Sequence, residues 1–356
     1  MLVKQNRVPI RQILTEGLLP SPLKIALYRA RGAKIGRGVH IGFGTVLLAE
    51  HLEIADHTSL GFGTVVRARD IRIGRHVRIG ATTFLDVEKI FIDDDAKINE
   101  QVFAGGPTSP DSYLHVGKRT IIMQYTFLNP TRPLIIDDGA GIGGKCNIFT
   151  HGSWQNILEG YPVKFAPVRI GKNVWIPWQV FIMPGVTIGD GATIGAGSLV
   201  LKDIPAGALA AGVPAKVMKT ADEYPVTPSL AERQAMIRSI IGEFRDYLEY
   251  FHFEIEESSA APGWRLWNLH TRTRRRAGAW RFFHAEDTCF DETPLGGQRD
   301  TFLSLRRIDD SLRSELDARG AAWFDLETKQ RSAASNDCAD ELATFIGRFG
   351  IHCERM

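Results

Sequence analysis

Ile35, Ile54, Ile73 and Ile92 stand nineteen residues apart. Ile41, Leu60, Ile79 and Ile98 repeat that interval six positions later, and Leu47, Val66, Leu85 and Ala104 repeat it again. Three apolar columns in register over four turns predict a chain wound as a prism with three flat faces, a β-solenoid of hexapeptide repeats. The third face is seven residues long in these turns, which makes the period nineteen rather than eighteen. Each face opens on an inward apolar residue, often followed by a small one, as in Ile35-Gly-Arg-Gly-Val-His40 and Ile41-Gly-Phe-Gly-Thr-Val46. A bend every six residues leaves little room at the corners, so small residues are favoured there. Stacked turns then pair at about the 4.8 Å strand spacing.

The columns continue through Val116, Ile122 and Leu128, then Ile136, Ile142 and Ile148. They become strict from Ile170 to Val200, and Ala206 and Gly212 are expected to close the prism. Two excursions interrupt it, at 105–115 (GGPTSPDSYLH) and 151–167 (HGSWQNILEGYPVKFAP). Long loops on a tightly periodic scaffold point to a site or an interface.

Residues 1–34 read as a short helical cap, with Leu23, Ile25, Ala26 and Tyr28 apolar and Lys24, Arg29 and Arg31 supplying charge. Its expected role is to cover the open end of the prism. A rival role is weak association with a membrane surface near a lipid-linked acceptor. The solenoid is assigned to 35–220 and a separate α/β appendage, of unassigned role, to 221–356. There, Thr227-Pro228 suggests a helix start, and Ile237, Ile240, Ile241, Phe244, Leu248 and Phe251 form a stripe at helical spacing. Strand-like runs follow at 264–270, 279–285, 301–307 and 321–327, with helices near 309–319 and 337–349.

A net charge of +2 over 356 residues gives no bulk electrostatic argument for nucleic acid. The one basic run, Arg272-Thr-Arg-Arg-Arg-Ala, with Trp280, Phe282 and Phe283 beyond it, reads as a solvated surface or a contact for an anionic sugar or diphosphate. The four cysteines are scattered without zinc-like or framework spacing, as expected of free thiols in a reducing compartment. No stretch approaches the ~20 apolar residues of a membrane span, and the N-terminus lacks the apolar core of a secretory signal. The expectation is a cytoplasmic protein.

The run APVRIGKNVWIPWQVFIMPGVTIGDGATIGAGSLVLKDIPAGALAAGVPAKVMK, preceded by IFTHGSW, resembles the hexapeptide-repeat acyltransferases. It looks especially like the maltose, galactoside and polysaccharide O-acetyltransferases that use acetyl-CoA. The resemblance extends over 33–219 and leaves out the appendage. It implies a mainly β fold, a left-handed parallel β-helix assembled as a homotrimer, with acyl-CoA held between subunits. It also implies that a histidine on a loop leaving the prism is the base, and His151 matches it.

The chemistry asks for that residue type. A sugar hydroxyl is a poor nucleophile at neutral pH and a thioester is already activated, so the missing element is a base with a pKa near 7. A ring in that role needs an orienting partner. Asn156 and Glu159 share its loop, and Asn129 resembles an asparagine one coil earlier in similar enzymes. For the donor, the resemblance places Trp178, Ala196 and Leu201 along the pantetheine arm and Lys216 and Lys219 near the nucleotide phosphates. Ammonium groups suit that last role; a solvated pair of lysines is the plain alternative. Pro177-Trp178 departs from the usual pattern and gives Trp178 an alternative place in the core or at a corner.

Other readings stay open. One is N-acetylation of an amino-sugar nucleotide. Another is a γ-type zinc carbonic anhydrase, for which His115 and His151 invite comparison. A catalytic zinc takes three protein ligands, and the stretch after His151 offers no third histidine. A third is a non-catalytic scaffold. The expected reaction requires a saccharide acceptor, acetyl-CoA and no metal.

Overall fold

The computed structural model describes residues 8–153, 155–261, 264–272, 277–285 and 297–356. The chain divides into two compact units, Met1–Val226 and Thr227–Met356.

The first unit is a parallel β-helix. Among the described residues, faces one and three each hold eight strands and face two holds ten. Ile35, Ile54, Ile73, Ile92 and Val116 stack in register up face one. The three columns predicted from spacing all point inward and are buried. A fourth column, Leu52, Ile71, Ile90, Leu114, Leu134 and Val168, joins them. It exists because face-one strands run to four residues, such as His51–Ile54 and Asp70–Ile73. Side chains two apart on a strand share a side, so the long turns bury a second residue there.

Buried hydroxyls bind the coils together. Thr64 and Thr83 donate to the carbonyls of Gly80 and Asn99 at 2.7 and 2.9 Å. Thr45 donates to Gly61 and accepts from the Thr64 N–H. Two corners of each early coil are left-handed, at Gly44, Gly63, Thr82, Gln101 and Tyr125 and at Gly38, His57, His76, Asp95 and Arg119. His57 and His76 stack at 5.2 Å. A Cβ on Gly38 would fall 2.6 Å from His57 Nδ1, so a side chain there would have to push the His57 ring aside.

Coil N–H groups donate both onward, as His40 does to Thr58 and Gly42 to Leu60, and back, as His57 does to Arg37 and Gly63 to Phe43. The first coil has no coil before it to donate to its outward carbonyls, and helices α1 (Ile10–Thr15) and α2 (Ser21–Ala30) lie near them in sequence. Lys24, read from the sequence as surface charge, is fully buried. Its Nζ donates to Gly42 O at 2.5 Å and Thr45 O at 3.0 Å, while burial lowers its pKa. Arg29 serves the carbonyls of Ile35 and Gly36 in the same way, at 2.6 and 3.0 Å.

The far end differs from expectation. Ile204 bridges Ile188 and Ala210 pairs with Ile194. These residues fill the inward positions, and Ala206 and Gly212 are exposed. The last coil is two residues shorter than the strict period, so the spacing overshoots. Leu209–Gly212 then turns back on itself and pairs antiparallel with Ala215–Lys219.

In the second unit, helix α3 (Leu230–Tyr250) starts after Ser229, which forms a capping box with Glu232, rather than at Thr227-Pro228. Its stripe buries Ile237, Ile241, Phe244 and Leu248. The sheet is seven-stranded and mixed, in chain order from Glu254–Ala261 to Glu354–Arg355. Trp264–Arg272 and Ala277–Ala285 pair antiparallel; Asp300–Ser304 and Ala322–Asp325 join in parallel, with α4 (Asp310–Ala318) between them in sequence. Helix α5 (Asp337–Ile346) packs Leu342, Phe345 and Ile346 into the same core as α3. The strand Glu254–Ala261 had no signal in the apolar pattern. Residues 273–276 of the basic run, and Cys289, lie outside the described residues. No described helix is long and apolar enough to cross a membrane.

Candidate active site

Thr150 ends a face-three strand, Asn147–Phe149, and is fully buried. Its hydroxyl donates to Asn129 O at 2.6 Å and accepts from the Arg132 N–H at 2.8 Å. That pins the corner from which His151 leaves the prism. His151–Gly152 pairs antiparallel with Lys164–Phe165, and the Ala166 N–H returns to Thr150 O at 2.9 Å. The second excursion thus leaves and re-enters at one point.

His151 Nδ1 lies 2.7 Å from Asn129 Oδ1 and 3.2 Å from Thr131 Oγ1. The Thr131 hydroxyl donates to the same Asn129 oxygen at 2.8 Å. A carboxamide oxygen only accepts, so Nδ1 carries the hydrogen and Nε2 keeps its lone pair. Asn129 and Thr131 are buried, at 5% and 3% exposure, which makes them firm supports. Phe165 stacks on the imidazole at 5.5 Å. The ring is half-buried, and desolvation lowers its pKa from the ordinary histidine value. The arrangement offers a neutral, oriented base at neutral pH.

The first excursion supports the same place. The Ser112 hydroxyl donates to Thr131 O at 2.7 Å, and the Ser109 hydroxyl oxygen lies 3.0 Å from the same carbonyl. A Cβ on Gly106 would fall 2.7 Å from Thr131 Oγ1 and 2.8 Å from Asn129 Nδ2, so only glycine lets this loop close on the pair.

Of the orienting candidates, the structure brings Asn129 to His151 and not the other two. Asn156 donates to Glu159 at 2.9 Å and caps the short turn Ile157–Glu159. Both are exposed and occupied with each other. Thr131, Phe165 and Gly106 escaped sequence reasoning, since no motif marks them.

Trp178 and Ala196 follow face-two strands in successive coils and are exposed at the same corner. Trp178 lies across Gly144, whose Cβ would meet the ring at 2.5 Å. Its place is therefore a corner and not the core. Leu201 is exposed at the exit of face three, two coils beyond the point where His151 departs. Lys216 and Lys219 are exposed on the final strand. His115 is elsewhere, on face one, with Nε2 3.0 Å from Asp93 Oδ2. Among the described residues no three His, Cys, Asp or Glu side chains gather as a metal site.

Residues 167–202 match the bacterial transferase hexapeptide family, described as six repeats. Over those residues the solenoid carries the repeat of that family's model. The fold class expected from the sequence, a mainly β, left-handed parallel β-helix, is the class of this family. The chain is 56% identical over 136 residues to the galactoside O-acetyltransferase of Escherichia coli, covering 35% of this chain and 63% of that one. It is 53% identical over 64 residues to a Staphylococcus aureus protein with a provisional acetyltransferase name, covering 18% of this chain and 32% of that one. The chain thus spans less than two thirds of the length of these curated relatives. Among solved structures, a hexapeptide-repeat acetyltransferase from Vibrio cholerae, complexed with acetyl coenzyme A, aligns at 20% identity and a TM-score of 0.27, over 59% of this chain and 84% of that one.

Proposed function

We propose that this hexapeptide-repeat protein is an O-acetyltransferase that moves an acetyl group from acetyl-CoA to a saccharide hydroxyl, with His151 as general base. The observation that carries the reading is the tethered Nδ1 and open Nε2 of His151 at a loop-bearing edge of the solenoid. The galactoside O-acetyltransferase relative supports the acceptor class.

His151 Nε2 takes the proton from the acceptor hydroxyl as its oxygen attacks the acetyl carbonyl. A tetrahedral oxyanion forms, and backbone N–H groups are suited to stabilise it. The intermediate collapses, the C–S bond breaks, and the imidazolium returns the proton to the leaving thiolate. The products are the acetyl ester and free CoA, with no covalent acyl-enzyme. Asn129 keeps the ring in one tautomer throughout. Positioned base catalysis contributes roughly 10²–10⁴-fold, and holding both substrates together supplies much of the remainder.

Trp178 and Ala196 form an exposed rail suited to the pantetheine arm, with Lys216 and Lys219 for the phosphates. Within one chain that rail lies at the corner after face two, while His151 leaves at the corner after face three. A donor touching both corners needs a neighbouring copy, which supports a homotrimer with its site between subunits. We place the reaction in the cytoplasm, in surface-polysaccharide or glycan assembly, on acceptors that include membrane-linked glycans, without a metal and without nucleic acid.

Thiol release from acetyl-CoA, measured across a panel of neutral and acidic saccharides, tests the reading. Acceptor-dependent release is expected in the native protein and is lost in His151→Ala. Absence of release with every saccharide, or near-normal turnover in that variant, would sink it.

A further inference from the structure

We infer that Arg132 is a positioning residue: held by Asp111 of the first loop, it keeps Phe165 of the second loop against the His151 imidazole. The inference rests on the proposed role of His151 and deepens it.

The contacts close a ring. Arg132 Nη1 donates to both Asp111 oxygens at 2.7 and 2.9 Å. The Arg132 guanidinium carbon lies 5.9 Å from the centre of the Phe165 ring, and Phe165 stacks on His151. His151 returns through Asn129 and Thr131 to the chain segment that carries Arg132. Asp111 accepts from the Ser109 hydroxyl at 2.6 Å, and the same Ser109 oxygen lies 3.0 Å from Thr131 O. Both excursions from the prism, twenty or more residues apart in sequence, therefore meet on one imidazole.

An isolated exposed ion pair contributes little. This one is different in what it connects. Arg132 and Asp111 sit on separate segments, and the guanidinium also faces an aromatic ring, which attracts cations. Phe165 has a two-residue strand as its backbone support, so its ring needs a second restraint to stay on the imidazole. With the ring in place, water is kept from one face of His151, which adds to its desolvation. The charged groups around it are Arg132 from the turn after Asn129, Asp111 from the first loop and Lys164 beside Phe165.

The test reads the ring directly. In the full-length protein, with histidines labelled with carbon-13 at Cε1 and the His151 signal assigned from its loss in His151→Gln, NMR titration gives the imidazole pKa. The double variant Arg132→Gln/Asp111→Asn removes both charges at once, so the net charge near the ring is kept. It is expected to raise the His151 pKa toward the ordinary value, and Phe165→Ala does the same. Phe165→Leu retains an apolar cover and is expected to stay near the native value. The acid limb of kcat/KM moves with the NMR value. An unchanged pKa in the double variant, with native melting behaviour, overturns the inference, and so does a fall in kcat with no movement of the acid limb. Because the titration needs no turnover, failure of the acetyltransferase reading would appear separately, as absent acyl transfer with the pKa shifts intact.

Discussion

His151 at the edge of the solenoid and His284 in the core of the second unit are opposite solutions to placing an imidazole. His151 has one nitrogen tied to Asn129 and is half-buried. His284 is 2% exposed, and neither of its nitrogens has a hydrogen-bond partner among the described residues. It sits against Trp267 and Phe282 at 5.1 and 5.5 Å, and burial pushes its pKa down to about 4. The more perturbed ring is the one without an opening to a substrate. Perturbation alone does not mark a base; a fixed tautomer and an accessible lone pair do.

The contrast extends to the two units. In the solenoid, register hands many buried hydroxyls a carbonyl on the next coil, as at Thr64 and Gly80 or Thr126 and Gly143. The second unit has no repeat to supply partners, and the buried indole N–H of Trp267, beside His284, has no hydrogen-bond partner among the described residues.

The largest expected effect separates the two histidines by activity. His151→Ala lowers acetyl transfer by roughly 10²–10⁴-fold with CoA affinity nearly unchanged, measured by thiol release and by calorimetric titration. His284→Phe leaves the rate constant for transfer unaltered; equal losses in both variants would erase the distinction. Removing the tether comes next. Asn129→Ala leaves the ring without its fixed tautomer and costs on the order of 10–100-fold in kcat, with melting only slightly changed.

Acid separates the rings by stability. The His284 pKa in the folded protein lies below the unfolded value, so the unfolded state binds the extra proton first. Stability from keeping this ring neutral is full above pH 6.5 and is lost as pH falls from 6.5 toward 4. The total is about 3 kcal/mol, read as faster amide exchange in Ala277–Ala285 of the full chain. His284→Phe abolishes that slope, and a slope that survives the substitution refutes the assignment. His151 bears on rate instead: transfer rises with pH through a midpoint below 6.5 and then levels, as its lowered pKa requires.

The smallest effect concerns the ladder. Thr64→Val leaves the Gly80 carbonyl short of a donor inside the prism and costs about 1–2 kcal/mol by chemical denaturation. His284→Phe at pH 7.5 is neutral or stabilising, since it removes orphaned polar atoms without removing a bond. Equal costs at both positions would show that the repeat confers no advantage in pairing.

The apolar columns were legible because a stacked prism demands the same kind of residue at the same place in every coil. His151 was legible because an excursion begins there. Its partner was harder to choose. Asn156 and Glu159 are close in sequence, yet they bond to each other, while Asn129 is twenty-two residues back and one coil away. Lys24 misled for a similar reason: a lysine on a short helix reads as surface until the open carbonyls of the first coil are seen beneath it.

Periodicity by itself determined the winding of the chain, its buried columns and the two places where the winding breaks, because side-chain direction along a strand follows from spacing alone. Which nitrogen of His151 is tethered, what shields the ring and how the two loops come to share it were decided only by the tertiary structure. Those contacts join residues from different coils, and stacking sets them next to each other whatever their distance along the chain.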